Sequence, residues 1–294
     1  MAKFASADKQ AASVIKEMQG NQLKSVGTVR NYEQALKTVA EYAKAERIPG
    51  GLRGITPEQA IKYMEQRGQE VCQKTLDMER QALQAMMQHV TSQLDTKERL
   101  SVVKSELSQA LESRSYTAEQ ITAIASSQTE RNALATQIAY SAGLRAHELL
   151  TLQRIDERPP SDRPALDSKF QGRDTQSYTV HGKGGLVREV RIPTDLAEKL
   201  EARRLDEARR VTDRNVHYEQ RYDLAGGKNW SNSFSAASNR TLGFSNGAHG
   251  LRHTYAQERM SELGSQGYER QHALETVSQE LGHFRHEITE VYLR

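Results

Sequence analysis

His249-Gly250-Leu251-Arg252-His253-Thr254, then Leu281-Gly282-His283, then Tyr292 nine residues further on: these close-set groups near the C-terminus decide how the chain reads. The periodicity predicts a helix over 249–263 and another over about 269–281, with a final turn bearing Tyr292. Gly282 at the end of the second helix suits a left-handed stop that turns His283 towards a cavity. His249 at a helix start and Arg252 one turn later can face one spot, and a helix N-terminus favours an anion there. Taken singly each group is unremarkable: a capping histidine, a solvated arginine, a surface tyrosine. His253 reads as a packing residue.

Working outward, Gly143-Leu144-Arg145-Ala146-His147-Glu148-Leu149 places Arg145 and Glu148 three apart, on one face of a short helix expected over 144–152. By itself this is an ordinary surface ion pair. Residues 177–182 and 186–192 alternate apolar and polar side chains around Gly182-Lys183-Gly184-Gly185, which predicts a β-hairpin with Lys183 at its tip, closed by Pro193. A long charged helix is expected over 195–210, and the Gly-, Ser- and Asn-rich stretch 226–247 reads as a mobile loop.

The first hundred residues read as a small helical bundle. Thr28 is the expected cap of a helix with Tyr32, Leu36, Val39 and Tyr42 or Ala43 on one stripe, ended by Pro49-Gly50-Gly51. Thr56-Pro57-Glu58-Gln59 and Thr117-Ala118-Glu119-Gln120 both read as capping boxes. A helix stops near Gly68, and another runs over about 75–90 with Leu76, Leu83, Met86, Met87 and Val90 inward. The polar stretch 92–115 contains the connection between domains. Leu134, Ile138 and Ala142 continue a helical face to Gly143. The expected class is mainly α with a small β-sheet (α+β), a helical domain at 1–105 followed by a mixed α/β domain at 115–294.

Composition sets the bounds. With 294 residues, 36% hydrophobic, two domains are expected. Lys and Arg number 41 against 38 acidic residues, a net of +3, too mild to establish nucleic-acid binding by charge alone. The one cysteine, Cys72, excludes an intrachain disulfide and fits a reducing cytoplasm. No apolar run approaches a membrane span, and no secretory signal is expected at the N-terminus. Neither a thiolate cluster nor a His-Glu-x-x-His pattern is present, so no metal or other cofactor is expected.

An Arg followed three residues on by an acid, a lysine on a β-hairpin, His-x-x-Arg, Leu-Gly-His and a tyrosine nine residues later, in that order, resembles the tyrosine recombinase (phage integrase) family and looks similar to phage and mobile-element integrases. The resemblance covers about 115–294; the first hundred residues match the family's core-binding domain in position and helical character. Two features depart from the pattern: the sequence ends two residues after Tyr292, and 226–247 is longer and more polar. The resemblance implies a site-specific recombinase that cuts and rejoins double-stranded DNA through a 3′-phosphotyrosyl link, without metal or ATP. Tyr292 would be the nucleophile. Arg145 and Arg252 would grip the phosphate, with Glu148 supporting. His249 and His283 would donate hydrogen bonds to it, His249 could also help to accept the tyrosine proton, and Lys183 would protonate the leaving oxygen. It further implies a homotetramer on DNA, sometimes with accessory DNA-bending factors. Two other readings stand beside it: a type IB topoisomerase-like relaxing enzyme, and a non-catalytic DNA-binding protein on the same fold.

Overall fold

Two helix starts form as the capping chemistry requires. Thr56 and Thr117 each accept from the backbone N–H three residues on, while Gln59 and Gln120 reach back to the cap N–H. The computed structural model describes residues 5–20, 22–23, 25–108, 112–283 and 285–294, leaving out the side chain of Lys183. The chain divides into two units, Met1–Ala110 and Leu111–Arg294. Among the described residues no helix is long and apolar enough to cross a membrane.

The first unit packs α1 (Ala7–Met18), α2 (Val26–Ala45), α3 (Pro57–Gly68) and α4 (Gln73–His89) around Val14, Met18, Leu36, Val39, Met64, Leu83 and Met86, all buried. The apolar stripe of α2 faces this core as its spacing demands. Its start differs from expectation: Ser25 precedes the first turn without a side-chain cap, and Thr28 lies inside the helix. Glu79 is buried in α4, where Tyr63 Oη donates to it at 2.7 Å and the Arg67 fork at 2.9 and 3.2 Å. A buried carboxylate survives only with such partners.

In the second unit, α5 (Ala118–Ser126) and α6 (Glu130–Ser141) lead to a three-stranded antiparallel sheet in the order β1 (Gln153–Arg154), β2 (Thr175–His181), β3 (Val187–Pro193). Tyr178 pairs with Val190 and Val180 with Arg188. A 3-10 turn, Lys183–Gly185, joins β2 to β3, with Gly184 and Gly185 at positive φ. Then follow α7 (Thr194–Glu201), a separate two-stranded ribbon of β4 (Arg204–Asp213) and β5 (Val216–Tyr222), α8 (Gly227–Leu242), α9 (Gly250–Ser265), α10 (Arg270–Leu281) and α11 (Glu287–Glu290), which runs into a 3-10 turn, Val291–Leu293. The main core joins Ile138, Leu149, Val180, Val190, Ile192, Leu200, Trp230, Phe234 and Leu251. A smaller one beneath the C-terminus holds Tyr255, Leu263, Val277, Leu281 and Tyr292.

Three expectations for this unit are corrected. The helix expected over 195–210 ends at Glu201, because Leu196, Ala197 and Leu200 exhaust its buried stripe and the chain then turns into β4. β4 pairs with β5 through Arg214 and Asn215, both at positive φ, the geometry of a tight two-residue hairpin turn. Most of the stretch expected as a mobile loop is the sixteen-residue α8, Gly227–Leu242, whose Trp230, Phe234, Ala237 and Ser238 form a buried stripe. The helix expected over 144–152 is a turn followed by a 3-10 segment, Glu148–Thr151.

Candidate functional site

The site begins where α6 ends. Gly143 sits at φ +59°, and a Cβ there would lie 2.9 Å from the Tyr255 ring and 3.0 Å from Leu281, so only glycine makes this turn. The turn points the Gly143 carbonyl at two guanidiniums: Arg252 Nη1 donates to it, and Arg188 Nη2 donates at 3.3 Å. It also aims Arg145 and Glu148 inward.

Glu148 has no solvent exposure and is saturated with donors. It accepts from the Arg145 backbone N–H at 2.8 Å, Arg145 Nη1 at 2.9 Å, and Arg188 Nη2 and Nε at 2.7 and 3.3 Å. Arg252 Nη1 lies 3.9 Å away. Burial pushes its pKa up, but the Arg188 and Arg252 charges outweigh this and hold the carboxyl well below the usual range. Arg145, Arg188 and Arg252 against the one Glu148 leave an excess of positive charge, which suits an anion.

Arg252 comes from the first turn of α9. It is fully buried, donates through Nη2 to the Leu281 carbonyl at 3.1 Å, and meets His283 Nε2 at 3.3 Å. Burial and the neighbouring Arg145 lower its pKa to about 10. Its Nε is buried with no partner among the described residues, a donor available to an incoming oxygen. Gly282 closes α10 at φ +71°, where a Cβ would come within 2.7 Å of Arg188 Cδ. The turn it allows brings the His283 N–H back to Ser278 O at 2.8 Å and the ring onto Arg252. His283 Nδ1 lies 2.8 Å from Thr289 Oγ1.

Tyr292 is 7% exposed, and its ring lies among three imidazoles. Ring centroids are 4.7 Å from His253, 5.2 Å from His283 and 5.4 Å from His249, with the Arg252 guanidinium carbon 5.5 Å away. The segment is tethered on both sides of the ring. Gln257 Nε2 donates to the Tyr292 and Arg294 carbonyls at 3.2 and 3.0 Å, and Arg270 forks onto Glu290 at 2.8 and 2.9 Å. Burial, then Arg252, lowers His283 to about 3; burial, then Arg114 and Arg252, lowers His253 to about 4. Shielding of its ring and the Arg252 charge also lower His249 to about 3, although the residue keeps an exposed edge where water screens part of that effect. All three imidazoles are therefore neutral at pH 7.

Arg145, Glu148, His249, Arg252, His283 and Tyr292 thus converge from three separate stretches of chain. Lys183 lies in the turn between β2 and β3, whose base borders the cluster: a Cβ on Gly182 would sit 3.7 Å from Glu148 Oε1. The side chain of Lys183 falls outside the described residues. Among the described residues no group of three or more His, Cys, Asp or Glu is placed to hold a metal ion.

Two participants escaped the sequence reading. Arg188 is 5% exposed and shares the inward phase of β3 with Val190 and Ile192. A charge on the apolar phase of a strand is a signal the sequence does carry. Thr289 holds the far side of the His283 ring, and nothing in the spacing marks it.

No family model matches the sequence, and no curated protein matches it. Solved structures are. A lambda integrase (75–356) dimer bound to a COC′ core site aligns with a TM-score of 0.62 at 16% identity, covering 97% of this chain and 94% of that one. The XerH site-specific recombinase bound to palindromic difH substrate, in a post-cleavage complex, aligns at 0.60 and 18%, covering 98% and 81%. The Tn1549 transposon integrase in complex with a circular intermediate DNA aligns at 0.54 and 13%, covering 99% and 96%. At such identities the likeness is one of fold.

Proposed function

Proceeding from the tyrosine recombinase fold, we propose that this chain is a site-specific DNA recombinase or integrase acting through a covalent phosphotyrosyl intermediate. The observation that carries the reading is the Tyr292 ring 5.5 Å from a buried, partly unpartnered Arg252, beside the Arg145–Glu148–Arg188 cluster. A largely buried cluster of guanidiniums with one phenol at its edge is suited to a phosphodiester.

In this reading Tyr292 Oη attacks phosphorus to form a 3′-phosphotyrosyl bond as the P–O5′ bond breaks. Arg145 and Arg252 take the charge that builds on the non-bridging oxygens, the part a metal ion plays at other phosphoryl-transfer sites. His249 accepts the phenol proton; it is neutral with a free lone pair, and the incoming phosphate charge raises its basicity back towards the ordinary range. His283, held against Arg252, completes the pocket, and Lys183 protonates the departing 5′ oxygen. A second 5′ hydroxyl then reverses the step on another duplex. The linkage conserves the bond energy, so no ATP enters. The helical unit Met1–Ala110 serves as a second DNA-binding module, and the working assembly is a homotetramer on two duplexes, with or without DNA-bending partners.

The test uses a pool of nicked suicide duplexes with a randomised centre. The wild-type chain is expected to form a denaturant-resistant adduct that peptide mapping places on Tyr292. Tyr292→Phe is expected to lose the adduct and keep DNA binding. An adduct that survives Tyr292→Phe refutes the nucleophile. DNA binding without any adduct supports the non-catalytic alternative, and relaxation of supercoils without strand exchange supports the topoisomerase one.

A further inference from the structure

His283 is gripped on both ring nitrogens, and the two partners are of different kinds. Nε2 faces Arg252 Nη2 at 3.3 Å, and Nδ1 faces Thr289 Oγ1 at 2.8 Å. Thr289 Oγ1 in turn meets Ser278 Oγ at 2.7 Å, and both hydroxyl-bearing residues are buried. A guanidinium has only donors, so the nitrogen facing it must present a lone pair. The ring proton then has to sit on Nδ1 and go to Thr289, whose own proton is free to go to Ser278.

We infer that Thr289 is a positioning residue: its hydroxyl accepts the Nδ1 proton and so holds the His283 ring where the Nε2 lone pair faces Arg252. Ser278 is on α10, but Thr289 is on α11, three residues before Tyr292. Docking of the tyrosine segment and orientation of Arg252 are therefore one event. With the segment in place, Arg252 is held by the Gly143 and Leu281 carbonyls and by His283, with its Nε unpartnered among the described residues. With the segment away, His283 loses its only Nδ1 acceptor among the described residues, the ring and with it the tautomer are free to change, and Arg252 loses one of its three anchors. An orienting partner on the far nitrogen is a general way to set which imidazole nitrogen works. This coupling would keep the phosphate grip incomplete until the nucleophile is seated, and as a statement about catalysis it rests on the proposed function.

The experiment labels histidine with ¹⁵N in the full chain without DNA and reads the His283 tautomer from long-range ¹H–¹⁵N correlations. Adduct formation on the nicked duplexes is measured in parallel. Wild type is expected to show a protonated Nδ1 and a pyridine-type Nε2. Thr289→Val keeps the shape but removes the hydroxyl; it is expected to mix the tautomers and slow adduct formation about tenfold, the worth of one buried hydrogen bond. Thr289→Ser is expected to restore both readings. Should Thr289→Val fail to fold, Ser278→Ala removes only the outer hydroxyl, with an expected partial tautomer shift and roughly threefold slowing. A protonated Nε2 in active wild type overturns the inference, as does a Thr289→Val or Ser278→Ala chain with unchanged tautomer and rate. The expected tautomer in a wild type that forms no adduct overturns the recombinase reading alone.

Discussion

Replacing Arg188 by methionine separates the electrostatic design of the site from its packing. The Arg188 side chain is 4% exposed and Glu148 0%, and two of the hydrogen bonds to that carboxylate come from Arg188. Methionine fills most of the volume but leaves Glu148 with Arg145 as its only hydrogen-bonding cation among the described residues and Arg252 at 3.9 Å. Breaking a buried ion pair from one side typically costs about 3–5 kcal/mol, because the remaining charge stays buried. For a unit of this size that is a fall of roughly 6–20 °C in melting temperature, read by calorimetry on the Leu111–Arg294 transition. The loss also depends on pH. The folded pKa of Glu148 is depressed below its ordinary 4.5, so the stability it contributes is complete above that value and is withdrawn as pH falls below it. Arg188→Met should flatten that acid limb. Adding Glu148→Gln removes the stranded charge, and the double variant should recover at least about 1 kcal/mol relative to additivity. A single variant that melts within about 2 °C of wild type, with an unchanged acid limb, would refute the argument that Glu148 depends on Arg188.

Arg145→Ala should slow adduct formation by about a thousandfold, roughly 3–4 kcal/mol of transition-state stabilisation, while DNA binding weakens far less; single-turnover kinetics on nicked duplexes check this. An excess of EDTA should leave the adduct rate unchanged, since guanidiniums supply the positive charge, and strict dependence on Mg²⁺ would count against the mechanism. Because burial first and then Arg114 and Arg252 hold His253 at about 4 in the fold, the unfolded chain binds the extra proton below 6.5. Stability should fall as pH drops from 6.5 towards 4, by up to about 2 kcal/mol at pH 5 from this residue, and His253→Gln should remove that part of the slope in denaturant titrations.

Where local chemistry sets the structure, the sequence is legible. The Thr56 and Thr117 boxes need only four consecutive residues to satisfy orphan N–H groups, and both form. The β2–β3 hairpin follows from alternation around Gly-Lys-Gly-Gly, and Gly282 ends α10 in the left-handed conformation that its place before His283 suggests. Where the driving contact lies far along the chain, the reading fails. Residues 227–242 are rich in Ser and Asn, and their four-residue buried stripe is too sparse to outweigh that composition. The helix forms because Trp230 and Phe234 enter a core built by α5, α6 and β3, with Trp230 Nε1 donating to Thr136 at 3.2 Å. In the same way Leu205, Ala208 and Val211 have helix-like spacing, yet strand pairing with 216–222 prevails.

The sequence by itself determined which groups are available: arginines, imidazoles and a phenol in a fixed order, with glycines where the backbone must turn. Their types and spacing are properties of the covalent chain and survive any error in placing a helix. Only the tertiary structure decided that Arg188 joins them, that Glu148 is buried at the junction of three guanidiniums, and that Thr289 reaches His283. The physical reason is that burial and electrostatic coupling depend on distances of a few ångströms between residues far apart in sequence, 109 positions in the bond from Arg252 to the Gly143 carbonyl. No local pattern encodes such a distance until the core has closed around it.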